Sequence, residues 1–170
     1  MHLARRAWCR TYQTVFRIAL PVLPYTEPRI LEHAEDVPAV LQKRSIQKVL
    51  IVTDPGIARL GLTAPLERAL TAQGIGVTVY AETRMNPTVS NVEEAASLYR
   101  ENACQAIIGF GGGSAMDCAK GVGARIAQPN KPINKMRGLL RVHRLLPLLI
   151  AVPTTAGTGS EVTLAARDGG

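Results

Sequence analysis

The stretch that decides the fold runs from residue 106 to residue 120 and reads AIIGFGGGSAMDCAK. Residues 106–110 are a short apolar run typical of a buried strand, residues 111–114 (GGGS) form a turn, and helix-forming residues follow. Because glycine lacks a Cβ, the backbone N–H groups of such a turn can approach an anion closely. The helix then directs its unpaired N–H groups towards the same point. This order of elements predicts a phosphate site.

A second turn of similar composition follows another apolar run. Residues 148–152 (LLIAV) predict a strand, and residues 153–160 (PTTAGTGS) follow it directly. Taken singly, the first turn could be a tight turn that binds nothing, and the second could bond only its own backbone. Two such turns after two strands favour a nucleotide site.

Strands and helices alternate along the rest of the chain. Residues 47–54 (QKVLIVTD) and 77–80 (VTVY) predict two more strands. Between them, residues 58–73 predict a helix with Leu60 and Leu62 on its apolar face, Pro65 in the first turn of its main part and Gly74 at its end. A further helix through Tyr99 should be capped by Ser90 or Asn91. The alternation predicts a doubly wound α/β fold with a mostly parallel sheet and Rossmann-like topology.

The composition of the 170 residues fits one globular domain, with 46% hydrophobic residues and no apolar run near the roughly 20 residues needed to span a bilayer. Cys9, Cys104 and Cys118 show neither disulfide nor zinc spacing, so we expect buried thiols in a reduced, cytoplasmic compartment. The first 26 residues are arginine-rich but contain no serine and carry Pro21 and Pro24, which favours an N-terminal strand segment over a transit peptide.

The net charge of +7 is unevenly placed, with Asp and Glu absent from residue 118 through residue 160. Aromatic residues make up only 4% of the chain and no nucleic-acid-binding signature is present, so nucleic acid is an unfavoured partner. A basic rim that attracts an anionic cofactor or substrate explains the charge better.

Asp54 lies at the end of a predicted strand, before the glycine turn rather than after it, so the order departs from the G-x-G-x-x-G fingerprint. The residue is either a turn former or a carboxylate that accepts hydrogen bonds from an adenosine ribose. Asp117 and Lys120 have the spacing of a solvated pair on a helix.

Together these motifs closely resemble the iron-containing (group III) alcohol dehydrogenases. The resemblance rests on residues 111–120 and 150–163, with VTD at 52–54 and NPT at 86–88, and it runs from about residue 25 to residue 166. It implies an N-terminal segment (1–24), a dinucleotide-binding domain (25–166) and a divergent tail (167–170). It also implies a small-molecule alcohol or aldehyde substrate and a homo-oligomer at full length, whereas the lack of a membrane partner is expected from the absence of a long apolar run.

The resemblance assigns roles to individual residues around NAD, with NADP less favoured. Asp54 would face the adenosine ribose and select NAD, Asn86 and Pro87 would line the adenine side, and the remaining residues would hold the pyrophosphate (Gly112, Gly113, Ser114) and the nicotinamide half (Asp117, Thr154, Thr155, Thr158).

In the family, an all-α second domain supplies an aspartate and three histidines that bind iron or zinc. Here residues 167–170 read RDGG, and no histidine follows His143. The resemblance therefore implies the cofactor-binding half of an enzyme that oxidises an alcohol to an aldehyde or ketone. This half would contain no catalytic or metal-binding residues and would be inactive alone. The alternatives are a glycerol dehydrogenase or dehydroquinate synthase of the same fold group, or a non-catalytic nucleotide-binding fragment.

Overall fold

The computed structural model of the chain describes residues 34–131 and 146–154. These residues form a four-stranded sheet of β1 (Lys48–Val52), β2 (Gly76–Tyr80), β3 (Ala106–Gly111) and β4 (Leu148–Pro153). The strand order is β2-β1-β3-β4 and every pairing is parallel. The predicted strands and their parallel pairing are confirmed.

The two central strands are the most buried part of the sheet. Every residue of β3 is buried, as is every residue of β1 after Lys48. Strands that are covered on both faces read as continuous apolar runs, which is why these two were recognisable in the sequence. Because all four strands are parallel, their carboxyl ends lie at one edge of the sheet.

Helices cover both faces of the sheet, which confirms the doubly wound fold. After a short 3-10 turn (Ala34–Asp36), the helices are α1 (Val37–Lys43), α2 (Pro55–Arg59), α3 (Ala64–Ala72), α4 (Val89–Glu101) and α5 (Gly113–Ala127). One core layer joins α1 and α3 to Val49 and Ile51, and the other joins α4 and α5 to Leu50 and Val52.

Helix α5 approaches the sheet and α4 closely. A Cβ built on Gly109 of β3 would lie 3.1 Å from Cβ of Ala119, and one built on Gly121 would lie 2.8 Å from Cγ2 of Val92. Larger residues at these two glycines would push α5 outwards. The close packing fixes the start of α5 against the end of β3.

The single helix predicted over residues 58–73 is wrong, because the chain forms α2 and α3 there instead. Asp54 caps α2 at Pro55, Gly61 then takes a left-handed conformation with φ of 64°, and α3 begins at Ala64. Pro65 lies in the first turn of α3, as predicted. Proline is tolerated there because the first-turn N–H groups have no partner within the helix, whereas inside a helix its ring would clash with the preceding turn. Leu60 and Leu62 are 73% and 45% exposed rather than buried, because they lie in the break.

The cap predicted for α4 is also wrong by a few residues. The N-cap is Thr88, whose Oγ1 accepts from the Asn91 N–H, while the Asn91 side chain accepts from the Thr88 N–H. This reciprocal pair is a capping box, with Asn in the place usually held by Glu or Gln. Asn91 therefore lies inside the helix rather than before it.

Of the three cysteines, Cys104 and Cys118 are buried free thiols, as predicted. Burial raises the pKa of Cys104 above its ordinary value and that of Cys118 to about 11. Within the described ranges, no helix is both long enough and apolar enough to cross a membrane. The N-terminal strand segment, Cys9, residues 132–145 of the basic stretch, Thr155 and Thr158 lie outside the described residues.

Candidate functional site

The carboxyl edge of the sheet brings the predicted site residues together. Asp54 follows β1, Asn86 and Pro87 follow β2, the glycine turn ends β3, and Thr154 follows β4. The Thr154 N–H donates to the carbonyl oxygen of Gly111 at 2.9 Å, so the two glycine-rich turns start side by side. This edge is where open parallel sheets bind their ligands.

The glycine turn has a backbone conformation that requires its first glycine. Gly111 has φ of 141°, and a Cβ there would lie 3.1 Å from Cβ of Ala115 and 3.3 Å from Oδ2 of Asp54. Both the backbone angle and the neighbouring atoms disfavour a larger residue. Because Gly111 has no Cβ, its backbone lies close to Asp54 after β1 and to Ala115 at the start of α5, and we call this arrangement the cradle.

The start of α5 has no side-chain cap of its own among the described residues. Gly112 is the N-cap and has no side chain that could cap the first turn, and that turn contains no Asp or Glu. These N–H groups have no partner within the helix, and the helix dipole places positive charge beside them. Ser114 lies half-buried in the same turn and adds a hydroxyl. The arrangement fits a phosphate group.

Asp54 uses its two carboxylate oxygens differently. Its Oδ1 accepts from the N–H groups of Gly56 at 2.9 Å and Ile57 at 3.0 Å, which caps α2. Its Oδ2 lies on the side of Gly111. Asp54 is therefore a turn residue, and its second oxygen is placed towards the cradle.

Asn86 and Pro87 lie in the loop that follows β2. Asn86 is exposed and has φ of 61°, a left-handed conformation that non-glycine residues adopt rarely and asparagine most readily. Pro87 is half-buried. Such backbone conformations are concentrated at ligand-binding sites, where the surrounding structure maintains them.

Asp117 and Thr154 are both exposed near the glycine turn. Asp117 is exposed on α5, and its Oδ1 lies 3.7 Å from Nζ of Lys120, which is the predicted pair. Thr154 is exposed beside the glycine turn.

Sequence reasoning gave no site role to the buried polar residues at this edge, which include Thr53, Thr83 and Asn91. Thr53 is completely buried, and its hydroxyl has no hydrogen-bond partner among the described residues. Asn91 is 4% exposed and its carboxamide contacts the loop after β2. The Thr-x-x-Asn spacing from Thr88 was a usable signal for Asn91, whereas no local pattern marks the burial of Thr53.

A metal centre does not emerge from this part of the protein. Across residues 34–131 and 146–154, no group of three or more His, Cys, Asp and Glu side chains could hold a metal ion. The described residues therefore supply no metal site.

The chain is similar in sequence to a known family of enzymes. The sequence pattern of the family described as iron-containing alcohol dehydrogenase matches residues 30–167. Alcohol dehydrogenase 4 of Saccharomyces cerevisiae (strain YJM789) is 35% identical over 144 residues, which are 85% of this chain and 37% of the yeast protein. Sulfoacetaldehyde reductase of Bilophila wadsworthia is 41% identical over 116 residues, 68% of this chain and 30% of that protein.

Solved structures agree with the sequence comparison. An alcohol dehydrogenase from Oenococcus oeni has a TM-score of 0.75 at 32% identity, with 82% of this chain and 38% of that chain covered. Sulfoacetaldehyde reductase from Bifidobacterium kashiwanohense, solved in complex with NAD+, has a TM-score of 0.68 at 29% identity with the same coverage, 82% and 38%. The chain thus spans about a third of the length of the curated relatives it matches.

Proposed function

This chain belongs to the iron-containing alcohol dehydrogenase family, and from that membership we propose that it binds NAD+ at the carboxyl edge of its sheet. For the whole protein, we propose the oxidation of an alcohol to an aldehyde or ketone by hydride transfer to NAD+. The domain that binds the cofactor would comprise residues 25–166.

The observation that carries the proposal is the cradle formed by Gly111 beside Asp54 and the uncapped start of α5. The N–H groups of the N-cap Gly112 and of Gly113 and Ser114 in the first turn would hold the pyrophosphate. Asn86 and Pro87 would line the adenine side, and Asp117, Thr154, Thr155 and Thr158 would lie along the nicotinamide half.

Asp54 would set the preference for NAD over NADP. Its Oδ1 is engaged in capping α2, and its Oδ2 is placed towards the cradle. A carboxylate oxygen accepts hydrogen bonds from ribose hydroxyls and repels a 2′-phosphate. The geometry therefore supports NAD as the cofactor.

When bound, NAD+ supplies a hydride acceptor at C4 of the nicotinamide ring. The contribution of the described residues is to bind and orient that cofactor through backbone N–H groups, Asp54 and Ser114. Iron or zinc belongs to the proposal for the whole enzyme. The residues described here offer no metal site, so no metal-dependent step is assigned to them.

The names of the relatives support an alcohol dehydrogenase over the alternatives from the same fold group, glycerol dehydrogenase and dehydroquinate synthase. They include choline dehydrogenase of Bacillus subtilis and 4-hydroxybutyrate dehydrogenase of Cupriavidus necator. We propose a small-molecule alcohol or aldehyde substrate, a homo-oligomer and a cytoplasmic location, the last supported by the buried free thiols of Cys104 and Cys118.

The test is a titration of the purified chain with NAD+, NADP+ and AMP, read by calorimetry and by the thermal unfolding midpoint. We expect NAD+ to bind and to raise the midpoint, since a ligand that prefers the native state stabilises it. The informative variant is Gly112→Asp, which places a capping carboxylate on the open N–H groups of α5. We expect it to keep or increase stability, because Asp is a favoured N-cap, and to abolish NAD+ binding.

Two results would contradict the proposal. A wild-type chain that binds neither NAD+ nor AMP would remove the binding function and leave an interaction fragment as the better interpretation. Wild-type affinity in Gly112→Asp would show that the pyrophosphate lies elsewhere.

A further inference from the structure

Asn91 is a buried polar side chain near the proposed site, and the proposed function gives it no role. It lies in the first turn of α4 and is 4% exposed. Burying a carboxamide is costly unless its donors and acceptors are all satisfied. Its partners therefore indicate what it does.

The carboxamide of Asn91 holds both ends of the loop after β2. Its Nδ2 donates to the carbonyl oxygen of Glu82 at 3.0 Å, where the loop begins. Its Oδ1 accepts from the N–H and the hydroxyl of Thr88, both at 3.2 Å, where the loop ends. One side chain thus fixes the separation of the two ends of the loop.

Tyr80 completes the arrangement from the end of β2. Asn91 Nδ2 donates to Oη of Tyr80 at 2.9 Å, and that hydroxyl donates to Oε2 of Glu94 at 2.8 Å. Burial, and then the hydrogen bond to Glu94, raise the pKa of Tyr80 well above its ordinary range, so the hydroxyl keeps its proton. Both Nδ2 hydrogens and both Oδ1 lone pairs of Asn91 are thereby used.

The loop between these tethers contains the residues proposed for the adenine side. Met85 is 89% exposed, Asn86 is left-handed with φ of 61°, and Pro87 is half-buried. An exposed loop that contains a strained residue needs external contacts to keep one conformation. Asn91 supplies such contacts at Glu82 and Thr88.

We infer that Asn91 is a positioning residue that holds the loop between β2 and α4 in the conformation that receives the adenosine half of the dinucleotide. This inference rests on the proposed function. It does not place Asn91 in contact with the cofactor. When only a fraction of molecules has the binding conformation, the apparent affinity falls by that fraction.

The experiment compares the wild-type chain with Asn91→Ala and with Gln105→Ala as a matched control. Gln105 also tethers backbone through its side chain, accepting from the N–H groups of Gln47 at 2.7 Å and Lys48 at 3.3 Å, but at the opposite edge of the sheet. We expect Asn91→Ala to weaken NAD+ and AMP binding by the same factor, about tenfold if the loop is correctly placed a tenth of the time. Gln105→Ala should leave both affinities unchanged.

Limited proteolysis gives a second measurement that separates release of the loop from loss of fold. Arg84 is exposed in the loop and Arg59 is exposed at the end of α2, so trypsin cleavage after each can be compared in one digest. We expect Asn91→Ala to accelerate cleavage after Arg84 several-fold relative to Arg59, and NAD+ to slow it. Gln105→Ala should not change the ratio. Asn91→Ser, which keeps a hydroxyl near Thr88 but does not reach Glu82, should behave as Asn91→Ala does.

The outcomes distinguish the two proposals. A wild-type chain that binds no NAD+ contradicts the proposed function. A wild-type chain that binds, with unchanged AMP affinity and an unchanged cleavage ratio in Asn91→Ala and Asn91→Ser, overturns the positioning role alone. Equal acceleration at Arg59 and Arg84 would also overturn it, because the side chain would then support the whole fold rather than the loop.

Discussion

Oδ2 of Asp54 lies so close to Gly111 that a Cβ on the glycine would stand 3.3 Å from this oxygen. Asp54 follows β1 and Gly111 ends β3, and these neighbouring parallel strands pair in register as far as Val52 and Gly109. The oxygen that does not cap α2 therefore reaches the glycine turn itself. One contact joins the residue proposed to select the cofactor to the turn proposed to hold it.

We predict that Gly111→Ala destabilises the chain by about 2 kcal/mol or more. The variant must adopt φ of 141°, which is unfavourable for any residue with a side chain, and its Cβ would also crowd Ala115 at 3.1 Å. Urea unfolding at neutral pH measures the loss. NAD+ affinity should fall as well, because the start of α5 must move.

Gly74→Ala is the control that separates backbone strain from crowding. Gly74 also has a positive φ, 74°, but a Cβ there would meet nothing within 4 Å. We expect a loss of about 1 kcal/mol, the usual cost of a left-handed conformation for a non-glycine residue. A loss in Gly111→Ala no larger than this would show that crowding of the new Cβ by Ala115 and Asp54 adds no energetic cost.

We predict that Asp54→Ser relaxes cofactor preference while preserving stability. Serine is also a favoured N-cap, so it can accept from Gly56 and Ile57 in place of Oδ1, but it has no charge to repel a 2′-phosphate. The ratio of the NAD+ and NADP+ dissociation constants should move towards one. Asp54→Ala should relax the ratio equally and cost about 1 kcal/mol of stability in addition.

An unchanged ratio in Asp54→Ser would contradict this prediction. Asp54 would then cap α2 without influencing the choice between NAD+ and NADP+. Loss of stability in Asp54→Ser equal to that in Asp54→Ala would instead show that a hydroxyl at this position does not reach the first turn of α2.

Sequence patterns predicted the features of this fold that are local and failed where neighbouring segments compete. The apolar runs of β1 and β3 are recognisable because both strands are covered on two faces. The helix over residues 58–73 was predicted wrongly because the periodicity of its leucines continues through Gly61. The left-handed conformation of Gly61 breaks the helix, and the pattern of apolar residues does not reveal it. The proximity of Asp54 to Gly111 depends on strand pairing, so spacing along the chain could not predict it.

We predict that Thr53→Val stabilises the chain by about 1 kcal/mol. The Thr53 hydroxyl is completely buried without a hydrogen-bond partner among the described residues, and an unsatisfied buried hydroxyl costs about 1–3 kcal/mol. Valine has nearly the same shape and removes that cost. Thermal and urea unfolding would measure the gain. A loss of stability would show that an internal water or another group satisfies the hydroxyl.

We predict that the chain loses stability at alkaline pH. Burial raises the pKa of Tyr99 from 10.0 to about 12 and that of Cys118 from 9.0 to about 11. As the pH rises, these groups ionise in the unfolded chain before they ionise in the folded chain. The free energy of unfolding therefore falls as pH rises from the ordinary pKa of each group to its raised pKa, and it is independent of these groups at lower pH. Urea midpoints should therefore fall above about pH 9. Tyr99→Phe removes one ionisation with little change in packing, so its midpoint should fall less steeply above about pH 10. An unchanged slope in Tyr99→Phe would mean that Tyr99 ionises equally in the folded and unfolded states.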